Sequence, residues 1–233
     1  VWGKAQAINT GDALFTLSRM ALYRLEDEGF DDARILRLMR LYDETCLKLC
    51  EGQFMDIWTS EHDEWMSVDY YFDMIGRKTA ALIAGSAEAG AVLATDDEAV
   101  IAAYRQFGWA LGLAFQLNDD LLGIWGDEAQ TGKETSDIAT RKKTLPLIYA
   151  LAEATGDDQA RLQAILAQSQ AEPSSDEIGE VLAILERVGA REYTRTRARE
   201  YRDEALAQLE SVGIVDGESM ERLADVVRGV IRA

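Results

Sequence analysis

Apolar side chains recur at intervals of three and four residues along almost the whole chain, and short polar or glycine-bearing breaks separate the periodic runs. That periodicity is the signature of amphipathic α-helices. The runs predict helices over about 5–28, 32–57, 68–94, 97–125, 145–155, 157–168, 175–188, 190–211 and 218–232. Ser174 followed by Glu177 is a capping-box pattern ahead of EIGEVLAILERV, and Gly189 supplies that helix's stop. Several runs exceed the ordinary globular range of about 8–20 residues. The expected fold is therefore all-α, a bundle of long, mostly antiparallel helices. No linker, low-complexity tract or internal repeat interrupts it, so residues 1–233 are expected to form a single helical domain.

Composition agrees and narrows the function. There are only two prolines, Pro146 and Pro173, which disfavours a loop-rich or β-rich chain. The formal net charge is −18 while 48% of residues are hydrophobic. Such a surface repels nucleic acid and anionic lipid unless basic groups gather in one place, so no nucleic-acid partner is expected. No unbroken apolar stretch of about 18 residues is present, and no stable membrane insertion is expected. Cys46 and Cys50 lie four apart on one side of a helix, a spacing that rarely meets disulfide geometry. They read as reduced, packed thiols in a cytoplasmic protein. The lone histidine, His62, lies in the polar run TSEHDEW and reads as solvated, which excludes histidine triads and histidine-based zinc or haem sites.

The most informative segment is ALGLAFQLNDDLLGIW, residues 110–125, whose only polar members are Gln116, Asn118, Asp119 and Asp120. A helix apolar on every side is buried. Adjacent helical residues diverge by about 100°, so Asp119 and Asp120 cannot share one solvated edge, and at least one carboxylate faces an interior or a cleft. Both lie toward the helix C-terminus, where the macrodipole disfavours anions by about 0.3–1 kcal/mol. Either a basic side chain or a metal must compensate them. Oxygen ligands without histidine or thiolate suit a hard cation such as Mg²⁺, which keeps waters and shares its shell with phosphates.

The loop GDEAQTGKETSDIATRKKTLP, residues 126–146, then delivers Lys133, Arg141, Lys142 and Lys143. Cations this close to an acidic pair, on an otherwise anionic chain, can neutralise a polyphosphate. The loop is not a Walker motif: five residues separate Gly126 from Gly132, and Glu134 follows Lys133. In KTAALIAGSAEAGAVLA, residues 78–94, small side chains allow close helix packing, while Lys78 opens a nearly uncharged run and is expected to have a specific target. Acidic groups, lysines and an apolar interior together fit a diphosphate ester with a hydrocarbon tail.

On these residues the chain resembles the trans-isoprenyl diphosphate synthases, the polyprenyl synthetase family. The matching segments stand in the family's order: VWGKAQAINTGDALF at 1–15, CEGQFMDI at 50–57, YYFDMIGRKTAALIAGSAEAGA at 70–91, and FQLNDDLLGIWGD at 115–127 followed by TGK and KKTLP. The resemblance implies helices around a central cavity and a Mg²⁺-dependent condensation of an allylic diphosphate with isopentenyl diphosphate. It implies Mg²⁺ binding by Asp119 with Asp120 beside it, and diphosphate binding by Lys78, Lys133 and Lys142. Thr79 and Gln116 match residues whose oxygens face the developing carbocation. A homodimer is likewise implied.

Two departures accompany the resemblance. The second aspartate-rich motif is often DDxxD, but its fifth position here is Gly123, with Asp127 a turn later. The family's first aspartate-rich motif and the residues holding isopentenyl diphosphate, normally upstream, are not in this sequence. The chain is accordingly expected to be the C-terminal portion of a longer synthase, incomplete on its own. The alternatives are a non-catalytic partner subunit of a synthase and a terpene cyclase on the same scaffold. Gln53 and Asp56 read as a helix-surface or supporting pair, Asn9 and Asp12 equally as cavity-facing residues or as residues engaged in helix packing and local hydrogen bonds, and Arg191 to Arg202 as a solvated helix face.

Overall fold

The computed structural model describes residues 3–62, 65–126, 137–167, 172–212 and 217–230. Among them every regular element is helical. In chain order these are α1 (Gly3–Tyr23), α2 (Asp32–Glu61), α3 (Val68–Ile75), a wide π-helical turn (Gly76–Ala80), α4 (Ala81–Ala94) and α5 (Glu98–Trp125). After a loop come α6 (Leu145–Glu153), α7 (Gly156–Leu166), α8 (Ser175–Arg187), α9 (Ala190–Ser211) and α10 (Gly217–Val230).

The boundaries follow from local chemistry. Side-chain oxygens of Asp31, Ser67 and Asp97 accept backbone N–H groups at the starts of α2, α3 and α5, satisfying donors that the first helical turn leaves free. The Ser174–Glu177 capping box is formed in both directions, and Gly189 ends α8 in the left-handed region at φ +74°. The first helix stops earlier than its periodicity predicts, at Tyr23, because the chain turns through 24–29 and closes on Gly29 at φ +86°. The second runs on to Glu61.

α5 is the axis of the bundle. Fourteen of its residues, from Ile101 to Ile124, are buried. α4 lies against it through small residues: a Cβ at Gly108 would meet Ile83 O at 2.6 Å and Ala84 Cα at 2.7 Å, so only glycine permits this approach. α9 also packs on α5 and buries Ala190, Thr194, Ala198, Ala205 and Leu209. This corrects the reading of 191–202 as a solvated face. The arginines and glutamates are interleaved with a stripe of small residues that lays α9 on the core, and Arg191 and Arg197 cover the rings of Trp125 and Phe72. The thiols are free, as expected, but Cys50 is exposed, not packed. Among the described residues no helix is long and apolar enough to cross a membrane.

Candidate active site

The C-terminal third of α5 sets the site. The 100° step between neighbours separates the acidic pair as the sequence required: Asp120 is 1% exposed, whereas the Asp119 side chain is 56% exposed. The buried carboxylate is enclosed by donors. Tyr71 donates its hydroxyl to Asp120 Oδ2, and Leu145 N donates to the same oxygen at 2.9 Å. Leu145 opens α6, whose N-cap residue Thr144 makes no side-chain cap, so Asp120 caps that helix from another part of the chain. Burial still dominates its titration. Desolvation pushes the Asp120 carboxyl up to about 6, against the pull of Tyr71, Leu145 N and Lys142. The Tyr71 phenol rises well above its ordinary value, through burial first and the Asp120 charge second.

Gln116, one turn before this pair, links it to the lysine helix. Its Nε2 lies 3.3 Å from Asp120 Oδ1 and 3.5 Å from Asp119 Oδ2, and its Oε1 accepts the Thr79 hydroxyl at 2.9 Å. Since carboxylates only accept, the amide nitrogen must face them. The amide oxygen is thereby left for Thr79. Beside Thr79, Lys78 Nζ stands 2.6 Å from Asp56 Oδ2. Asp56 therefore faces the lysine helix as its ion-pair partner, while Gln53 is exposed.

The segment after α5 adds a cation and an acid. Lys142 Nζ lies 3.3 Å from Asp119 Oδ2 and 3.4 Å from Asp137 Oδ2. Burial lowers the affinity of this amine for its proton, but Asp120, Asp137 and Asp119 together outweigh that and raise it. Arg141 makes the turn, in the left-handed region at φ +52°, so that Lys142 N returns to Asp137 O at 2.9 Å. Such a conformation costs a non-glycine residue about 1–2 kcal/mol. Lys143 turns away: its Nζ donates to the carbonyls of Thr59 and His62 at the end of α2. Lys133 and Asp127 lie outside the described residues.

Asp137 answers the question raised by Gly123. Asp137 N donates to Gly123 O at 3.4 Å, and a Cβ at Gly123 would fall 2.5 Å from Asp137 Cγ. The carboxylate from the loop occupies the volume that a side chain in the motif's fifth position would need. Replacing Gly123 with alanine is expected to destabilise the fold by about 1–3 kcal/mol through overpacking, read as a shifted urea midpoint at unchanged slope. Asp137 and Tyr71 were missed from sequence. Asp137 is one acid in a loop read for its cations, and Tyr71 lies seven residues before Lys78, a spacing that shares a helix face.

The donor set suits a hard cation. Carboxylates from α5 and from the following loop converge on one positive group, the Lys142 ammonium, and every donor there is oxygen. Among the described residues no three His, Cys, Asp or Glu side chains group so as to hold a metal ion. A cation taking most of its shell from water and phosphate oxygens matches that sparse set.

The described residues thus define a helical-bundle protein whose candidate site pairs acids with lysines. Over residues 1–185 the chain matches the family model described as Polyprenyl synthetase. It is 36% identical over 231 residues to a short chain isoprenyl diphosphate synthase of Methanothermobacter thermautotrophicus, covering 97% of this chain and 68% of that protein. The crystal structure of a polyprenyl synthetase from Streptomyces coelicolor A3(2) matches with a TM-score of 0.89 at 37% identity, over 99% of this chain and 68% of that one. A geranylgeranyl pyrophosphate synthase from Corynebacterium glutamicum, complexed with isoprenyl diphosphate and magnesium, matches with a TM-score of 0.77 at 29% identity. That alignment covers 89% of this chain and 58% of the synthase. The chain belongs to the polyprenyl synthetase family, and it spans 58–68% of the length of these three proteins.

Proposed function

We propose that this chain carries the allylic-diphosphate half of a prenyltransferase site, in which an allylic diphosphate condenses with isopentenyl diphosphate to give a longer trans-polyprenyl diphosphate. The observation that carries this reading is one connected line of polar groups. It runs from Thr79 through Gln116 to Asp119 and Asp120, and on through Lys142 to Asp137, with Lys78 beside its first member. Exposed Leu82 and Phe115 stand one helical turn from Lys78 and Asp119, giving the polar line an apolar continuation for a hydrocarbon tail. The names of the relatives support the same substrate class.

In this reaction the allylic C–O bond breaks and its electron pair leaves with the diphosphate. The double bond of isopentenyl diphosphate then bonds to the allylic carbon, and a proton departs from the product. Lys78 and Lys142, with Lys133, hold the leaving diphosphate by charge-assisted hydrogen bonds that strengthen as its charge grows. Asp119 is the outward carboxylate that would hold Mg²⁺, with Asp120 behind it and Asp137 alongside. When bound, the metal neutralises the diphosphate and fixes its orientation. Because the Thr79 hydroxyl donates its proton to Gln116, its lone pairs stay free to face positive charge.

A homodimer is part of the proposal, supported by α1, none of whose described residues is buried and which exposes Ile8, Leu14, Phe15, Leu17 and Met20. So is a cytoplasmic setting, supported by the free thiols. The test is product analysis on the full-length gene product with Mg²⁺, an allylic diphosphate and labelled isopentenyl diphosphate. Label is expected in a longer polyprenyl diphosphate, and chelation is expected to abolish it. Cyclic hydrocarbon formed without isopentenyl diphosphate would replace this reading with the cyclase, and absence of any product would reject it.

A further inference from the structure

The wide turn Gly76–Ala80, in which Ala81 N–H reaches back to Gly76 O, carries both Lys78 and Thr79. Turns of this type are rare within helices and concentrate at functional sites. Two glycines on two different helices press against it. On α2, a Cβ at Gly52 would fall 2.7 Å from Lys78 Cα and 2.8 Å from Arg77 C. On α5, a Cβ at Gly112 would fall 2.5 Å from Ala80 Cα and 2.9 Å from Ala80 Cβ. Backbone stands in the way on both sides and cannot rotate aside. Four residues along each of these helices comes the group that grips the turn. From α2, Asp56 holds Lys78 Nζ at 2.6 Å; from α5, Gln116 accepts from Thr79 Oγ1 at 2.9 Å. A glycine followed one turn later by a hydrogen-bonding acceptor thus occurs twice, once on each helix.

We propose that Gly52 and Gly112 are positioning residues that form a two-sided clamp on this turn. Each lets its helix approach until the acceptor one turn on can hold its partner, so that α2 aims the Lys78 ammonium and α5 aims the Thr79 hydroxyl. The proposal rests on the prenyltransferase reading above, and it divides the two aims between two kinetic constants. Lys78 acts on the diphosphate, so its aim governs binding of the allylic substrate. Thr79 acts as positive charge develops, so its aim governs turnover.

Steady-state kinetics on the full-length gene product separate these effects. Gly52→Ala is expected to raise KM for the allylic diphosphate by about tenfold and leave KM for isopentenyl diphosphate unchanged. Gly112→Ala is expected to lower kcat by about 10²-fold with both KM values unchanged, the scale of a displacement near 1 Å. Gly90→Ala, where a Cβ meets nothing within 4 Å, should behave as the unaltered protein. Circular dichroism and melting curves establish that each variant is folded. Folded variants with constants within about twofold of the unaltered protein, or with the same constant changed in both, overturn the clamp. If the two glycine variants do not fold, Ala80→Gly decides, because it loosens the Gly112 contact without adding an atom. A kcat lowered about tenfold supports the clamp and an unchanged one overturns it. Calorimetry with Mg²⁺ and inorganic pyrophosphate is independent of turnover. If the unaltered protein is inactive yet binds pyrophosphate more tightly than Gly52→Ala, the reaction reading fails and the clamp stands. Absence of binding to the unaltered protein overturns both.

Discussion

Asp119→Ala is expected to lower Mg²⁺-dependent turnover of the full-length gene product by about 10³-fold, roughly 4 kcal/mol of transition-state stabilisation. The melting temperature should meanwhile stay within about 2 °C of the unaltered protein. The asymmetry follows from where this side chain stands. It is more than half exposed, and its ion pair with Lys142 is of the solvent-screened kind worth about 0–1 kcal/mol. Lys142 also keeps Asp137 as a partner. Little of the fold depends on Asp119, whereas a metal held against a diphosphate depends on it directly. Paired measurements of kcat and of melting temperature decide the matter. Retained turnover overturns the metal role, and a collapsed melting temperature reassigns Asp119 to structure.

Asp120→Asn, by contrast, should change stability. In metal-free protein at pH 7 to 8 it is expected to raise the unfolding free energy by as much as about 3 kcal/mol, the cost of moving a carboxyl from 3.8 to about 6. Well below pH 3.8 the carboxyl is protonated both folded and unfolded, so substitution changes little. Between pH 4 and 6 the unfolded chain ionises while the folded chain keeps its proton, and the unaltered protein progressively loses stability. The new amide has no charge to desolvate, and its oxygen still accepts from Tyr71 and Leu145 N. Its NH₂, however, faces the Gln116 amide nitrogen. Relieving that conflict turns Gln116 over and removes the acceptor of the Thr79 hydroxyl. Activity is therefore expected to fall while stability rises. Urea titrations across pH 4 to 8 in chelator, set beside turnover in Mg²⁺, give both readings, and an unchanged stability profile would mean that Asp120 carries no burial penalty.

The helices were legible because each is written locally. Ser174 with Glu177 announces a start and Gly189 a stop, and the apolar character of α5 marks it as buried. The divergence of Asp119 and Asp120 was also legible, since it needs only the helical step. The pairing of Lys78 with Asp56 was not. They are 22 residues apart, and nothing in either segment names the other. Gly123 looked like a loss in the motif, yet it is the space into which Asp137 folds. Sequence gave no sign of that exchange, because a glycine records only that room is needed and not what fills it. The arginine-rich stretch of α9 misled in the same way, its charged residues hiding the small ones that face α5.

The chain alone determined that the molecule is helical, where the helices begin, that α5 is buried, and that two carboxylates on it cannot both face water. All of these follow from interactions within about one helical turn. The tertiary structure alone decided which cation meets which acid, that Asp120 caps α6, that a wide turn interrupts the lysine helix, and that glycines on α2 and α5 press against it. These depend on how closely separate helices approach one another, a distance set by the packing of the whole bundle.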